Sequence, residues 1–183
     1  MFTVKQIFKE SIFILFLTTV FGIFAGLFLN MVEDILLVVL PLVVILPALN
    51  GMIGDLGIIM VSRCTTALYE KVSVSYHSRL VKHLFKDIFP IAIFCAVYIS
   101  IIATFIAYFK GFYFDYVTLL KIVWITLATT ITLVMVVFIV AVVGSVYVYK
   151  KKVNPDDVLI PVITSIADMA SMVVFSFLVL FLF

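Results

Sequence analysis

Charge is scarce in this sequence. Its 183 residues carry twelve Lys and Arg, ten Asp and Glu and two His. A nucleic-acid partner calls for a dense basic surface; none is present, and no nucleic-acid partner is expected. Cysteine is rarer still. Cys64 and Cys95 lie far apart and fit no metal or redox spacing, so both read as small unpaired hydrophobes.

Apolar residues fill the chain instead, at 66% of the composition with a mean hydropathy of +1.39. A soluble domain of this length cannot hide so much apolar surface. The class is therefore an all-α, polytopic membrane protein, expected to form a single domain over residues 1–183. Five apolar runs predict five transmembrane helices at about 11–29, 35–61, 88–109, 119–149 and 157–182. The first is too long for a signal-peptide core and has no small-residue cleavage site before Asn30, which predicts a retained span. Gly22 and Gly26 in it make a small-xxx-small pair, a spacing that allows close helix approach. The fourth is over-long, which predicts tilt or extension into water. Its Thr126, Thr129, Thr130 and Thr132 are expected to bond carbonyls of their own helix.

The second span is the least regular. Pro41 and Pro47 each remove a backbone donor and predict kinks. Asn50, Gly51, Gly54 and Asp55 follow, and such residues at membrane depth predict broken backbone that is buried or lines a wet cavity. Residues 63–86 form the longest polar segment, with Arg63, Lys71, Arg79, Lys82, His83 and Lys86, partly as an amphipathic surface helix. Lys and Arg also set the orientation. With the N-terminus in the cytoplasm, ten of them lie inside and only Lys110 and Lys121 lie toward the outside, which places the C-terminus outside.

The last span carries a carboxylate, Asp168. Burying a charge in hydrocarbon costs at least about 2.5–3.5 kcal/mol, so such a residue faces a partner, a cavity or an ion. At about 100° per residue, Asp157, Pro161, Thr164, Asp168 and Ser171 fall on one stripe of the helix. Asp168 follows Asp157 by eleven residues, about 16 Å at 1.5 Å per residue. That is about half of a ~30 Å hydrocarbon core, so Asp168 lies near mid-membrane. Asn50 and Asp55 make a second polar group in the cytoplasmic half of span 2. Oxygen ligands of this kind suit Mg²⁺ or Ca²⁺ rather than Cu or Zn. Mg²⁺ keeps much of its water and is held by one or two carboxylates. A chain with one mid-membrane Asp supplies one, and a two-fold dimer brings two to the axis.

Two stretches carry a family resemblance. The first is Pro47-Ala48-Leu49-Asn50-Gly51-Met52-Ile53-Gly54-Asp55-Leu56 followed by Ser62-Arg63-Cys64-Thr65-Thr66-Ala67. The second runs from Pro155-Asp156 through Pro161 and Thr164-Ser165 to Asp168. Together they resemble the transmembrane domain of the MgtE Mg²⁺ channels and transporters, in the archaeal and eukaryotic solute-carrier branch. The resemblance implies a homodimer in the lipid bilayer, with a pore between subunits lined by spans 2 and 5 and Mg²⁺ as the bound and transported ion. It maps the family's central ion-site Asp to Asp168 and the Thr one turn earlier to Thr164. Where the family has Asn after the second glycine, this chain has Asp55, which adds negative charge. The candidate metal residues are thus Asp168, Thr164, Asp55, Asn50 and Asp157. Bacterial members carry cytoplasmic N and CBS sensor domains; none is expected within this chain, so a separate regulatory protein is a candidate partner.

Two other classes compete. An intramembrane aspartyl protease would use Asp55 and Asp168, and Pro47-Ala48-Leu49 with Gly54-Asp55 resemble presenilin-type motifs. Their order is reversed, and Met52 stands where the GxGD pattern needs glycine; no enzyme is expected. A non-transporting membrane scaffold leaves Asp168 unexplained.

Overall fold

The computed structural model describes residues 4–75, 78–113 and 115–183, with the backbone alone for 4–11, 13, 14 and 17. These form α1 (Val4–Asn30), α2 (Glu33–Val38), α3 (Leu40–Tyr69), α4 (Arg79–Phe109), α5 (Tyr116–Lys150) and α6 (Pro155–Leu182), with no strand among the described residues. Helices α3 to α6 are each long and apolar enough to cross a membrane, while the apolar stretch searched in α1 is Thr18–Asn30.

The second apolar run departs from its expected shape. The chain breaks once, at Val39, whose φ of −102° and ψ of 77° separate α2 from α3. Pro41 then lies in the first turn of α3, where its missing N–H would have had no helical partner anyway. Pro47, Gly51 and Gly54 all lie inside the continuous 30-residue α3, so the expected kink-and-break region is helical. The polar segment 63–86 is also mostly helix. α3 continues to Tyr69, and Ser78 opens α4 by accepting a hydrogen bond from the Val81 N–H at 3.3 Å.

Glycine explains why α3 stays helical and still matters. α3, α5 and α6 pack on one another, α4 covers α3 and α5, and α1 lies on α6. A Cβ at Gly57 would overlap the Ile163 methyl on α6 and lie 2.9 Å from Val137 Cγ1 on α5. A Cβ at Gly144 would lie 2.9 Å from Leu159 Cδ2. In lipid, helices associate through such close approach, because no hydrophobic force drives apolar faces together there. By contrast, nothing lies within 4 Å of a Cβ built at Gly22 or Gly26; Ala25, between them, is the buried residue of that turn. The close approach that this spacing allows is therefore not used among the described residues.

These contacts fix the helix directions. Gly57 meets Val137, and the Tyr69 and Tyr149 rings meet edge to face at 5.4 Å, so α3 and α5 run parallel. Gly54 meets Thr164, and Asn50 meets Ser171, so α3 and α6 run antiparallel. α5 begins at Asp115, whose carboxylate accepts from the Thr118 N–H at 2.9 Å. Hydrogen bonds from the Thr118 side chain and backbone hold the Asp115 carboxyl below the usual carboxylate range.

The α5 hydroxyls divide. Thr126 and Thr132 donate to Ile122 and Ala128 carbonyls, both at 2.9 Å, as expected. Thr129 and Thr130 are fully buried and their hydroxyls have no partner among the described residues.

Gly57→Ala is expected to lose about 1–3 kcal/mol of stability by forcing α3 off α5 and α6. Gly51→Ala, with nothing within 4 Å of the new methyl, is expected to be neutral or slightly stabilising because alanine favours helix. Thermal unfolding in detergent, followed by size-exclusion recovery, separates the two.

Candidate ion site

α6 starts at a capped end. Asn154 Oδ1 accepts from the Asp156 N–H at 3.3 Å, Pro155 occupies the first turn, and Asp156 and Asp157 follow there. Carboxylates at this position complement the positive end of the helix dipole. Asp157 is exposed, whereas the Asp156 Oδ1 atom is buried without a partner among the described residues. One turn on, Pro161 has no N–H to offer the Asp157 carbonyl. The Pro161 carbonyl itself is crowded by hydroxyls, from Thr164 at 3.0 Å and Ser165 at 2.9 Å. Thr164 also lies 3.1 Å from the Ile160 carbonyl. Its single hydroxyl proton is thus spent on its own helix, leaving oxygen lone pairs free.

Asp168 follows on the same stripe and is exposed, as is Asp55 on α3. The antiparallel register brings them together. Gly54, just before Asp55, would touch Thr164 Cγ2 at 3.8 Å if it carried a Cβ. Four residues earlier on α3, Asn50 Oδ1 accepts a hydrogen bond from Ser171, whose oxygen is also 2.9 Å from the Asp168 carbonyl. Asn50, Asp55, Thr164 and Asp168 therefore occupy neighbouring turns of two packed helices. Asp157 does not join them. It lies seven residues before Thr164, about 10 Å along the helix, at the end of α6.

The surroundings of these groups decide what they do. The exposed face of α3 runs Pro47, Gly51, Asp55, Ile59, Arg63 and Thr66. Gly51 presents bare backbone, since no atom lies within 4 Å of its Cβ position. A face that carries a carboxylate cannot lie against hydrocarbon without a cost of at least about 2.5–3.5 kcal/mol. Around Gly51 and Asp55 it opens onto water or onto another protein surface. Among the described residues, no three His, Cys, Asp or Glu side chains converge in a way that could hold a metal.

A family model described as the MgtE divalent cation transporter matches residues 46–178, well over half of the chain. The chain belongs to the MgtE family. It is a multi-pass membrane protein of a family that transports divalent cations and is not a family of enzymes. Neither the curated proteins nor the solved structures offer a match to the chain. The matched range spans α3 to α6 and holds all five candidate residues.

Sequence reasoning placed Asn50 in a broken segment, where the MgtE fold keeps it in helix and ties it to Ser171. Ser171 stood on the predicted stripe with no role assigned. A serine three residues after a carboxylate on the buried side of that stripe was the available signal. Its partner on α3 was not readable, because sequence carries no register between helices.

Ser171→Ala leaves Asn50 Oδ1 without its donor. Interhelical hydrogen bonds in membranes average about 0.6 kcal/mol and reach about 1.7, so a loss within that range is expected. Unfolding measurements in micelles check it, with Asn50→Leu, which removes both the donor and acceptor, as the comparison.

Proposed function

We propose that this chain carries Mg²⁺ across the membrane through a pore between two copies of itself, lined by α3 and α6. In this reading α1 is a fifth span, the N-terminus is cytoplasmic and the C-terminus is outside. The observation that carries it is the exposure of Asp55 and Asp168 on adjoining turns of α3 and α6, beside the open backbone of Gly51. A second copy related by a two-fold axis shields that face from lipid and doubles its carboxylates. Two Asp168 side chains then supply the charge that offsets the lost bulk hydration of a divalent cation. Mg²⁺ retains several waters in such sites, and the Thr164 oxygens and nearby carbonyls accept hydrogen bonds from that water shell. With no cation bound, the like charges of the two Asp168 side chains repel each other.

The remaining residues take different parts. Asp55 lies one turn from Asp168 toward the α6 start and adds charge along the ion's path. Asn50 holds α3 to α6 through Ser171. Asp157, with Asp156, draws cations to the mouth at the N-terminal end of α6, where steering by charge is sensitive to ionic strength.

Asp168→Asn keeps the side-chain size and removes the charge, and is expected to abolish Mg²⁺ uptake into liposomes nearly completely while the size-exclusion profile is unchanged. Asp168→Glu is expected to lower uptake and weaken selectivity. Thr164→Val, which touches the ion only through water, is expected to have a smaller effect. Asp55→Asn installs the family's usual residue and is expected to retain transport. Wild-type uptake by Asp168→Asn would remove α6 from the ion's path.

A further inference from the structure

The motif Ser62-Arg63-Cys64-Thr65-Thr66-Ala67 has no part in the ion site, yet Ser62, Arg63, Thr66 and Ala67 all line one groove. The groove, about 1000 Å³, lies between the second half of α3 and the start of α4. Its lining changes character along its length. Arg63 and Glu70 from α3 and His83 and Asp87 from α4 supply charge or hydrogen bonds of both signs. Ile59, Ile88 and Ile91 continue it as an apolar wall toward the middle of the two helices. None of the four polar side chains is engaged by an ion pair or side-chain hydrogen bond among the described residues.

The groove's depth in the bilayer follows from its surroundings. α3 ends at Tyr69 and α4 begins at Arg79, joined by a polar connection. Tyr69 and Tyr149 pack edge to face at this end, and Lys151 lies over the Tyr147 ring at 4.4 Å. Tyrosines with basic residues mark the headgroup layer of a membrane. The polar end of the groove therefore meets lipid headgroups, and its isoleucine wall meets acyl chains.

We propose that this groove binds an aminophospholipid, with the phosphodiester held by Arg63 and His83 and the ammonium directed to Glu70 and Asp87. A guanidinium forks onto phosphate oxygens, and an imidazole N–H adds a donor in either protonation state. The two carboxylates would repel a purely anionic headgroup and instead accept hydrogen bonds from a primary ammonium. A quaternary ammonium cannot donate these bonds. The isoleucine wall selects lipid over a soluble phosphate, which has no chain to lay along it. The groove continues the exposed face of α3 through Ile59, Arg63 and Thr66, beyond Asp55 toward the end of the helix, and its α4 wall takes no part in lining the proposed pore.

The test is native mass spectrometry of the full chain, delipidated in detergent and supplied with phosphatidylethanolamine, phosphatidylglycerol or phosphatidylcholine. A further arm competes soluble glycerophosphoethanolamine against the lipid. Wild-type protein is expected to retain phosphatidylethanolamine above the other two. Arg63→Gln is expected to weaken that retention about tenfold, the scale of losing one charge-assisted hydrogen-bond pair. Asp87→Asn is expected to reverse the preference toward phosphatidylglycerol, a change that a folding defect would not produce. Equal retention of all three lipids by wild type and both variants overturns the proposal. So does full competition by glycerophosphoethanolamine, which would show a soluble phosphate ester as the ligand.

Discussion

A carboxylate in a membrane-spanning helix has few tolerable environments, and Asp168 constrains the whole bundle through that fact. The helix that carries it shows Asp168 on an exposed face and buries Ile163, Ala167 and Phe175 on another. Charge at this depth is stable only against water, an ion or a partner. The neighbouring helix answers with a face of its own that lipid would not favour, carrying Gly51 and Asp55. Two adjoining faces of this kind make sense as one surface, and the chain belongs to a family of divalent cation transporters.

Close packing makes that surface possible. Gly54 and Gly57 let α3 lie directly against Thr164 and Ile163, and Asn50 locks to Ser171 one turn further on. The polar residues of the two helices then share one level. Were α3 held off by even a methyl at Gly57, Asp55 and Asp168 would separate, and the Asn50–Ser171 bond would break. Rigidity behind the site and openness in front of it come from the same short run of small residues. Gly51 faces outward with nothing near it, whereas Gly57, six residues later, faces inward with no room at all.

The fold class and the apolar helices were legible because hydrophobic run length is a direct physical requirement of the bilayer. Asp168 was legible for the complementary reason, as an exception to that requirement. The helical stripe through Thr164 and Asp157 followed from the helix period alone. Other features were hidden. Proline and glycine between Pro41 and Gly54 suggested broken backbone, yet a continuous helix absorbs Pro47, and its glycines serve packing. Composition cannot separate those uses, because both call for a residue without a Cβ. The pairing of Asn50 with Ser171, and the meeting of Arg63 and His83 in the lining of one groove, depend on register between helices distant in sequence. No periodicity within one helix encodes it. Gly22 and Gly26 mislead in the opposite direction, since the spacing for close approach is present with nothing among the described residues within 4 Å of either Cβ position.

The central claim is that the Gly51–Asp168 face is covered by a second copy of the chain. Cysteine introduced at Gly51, with Cys64 and Cys95 replaced by alanine, reports on it directly in liposomes. The account predicts an oxidant-dependent disulfide dimer at Gly51→Cys and none at Ile139→Cys, which is exposed on α5 beside Lys82 of α4. It also predicts that Mg²⁺ changes the rate of crosslinking, because an ion between the two Asp168 side chains alters the spacing of the helices beside it. A protein that transports Mg²⁺ fully while Gly51→Cys never crosslinks would contradict the account.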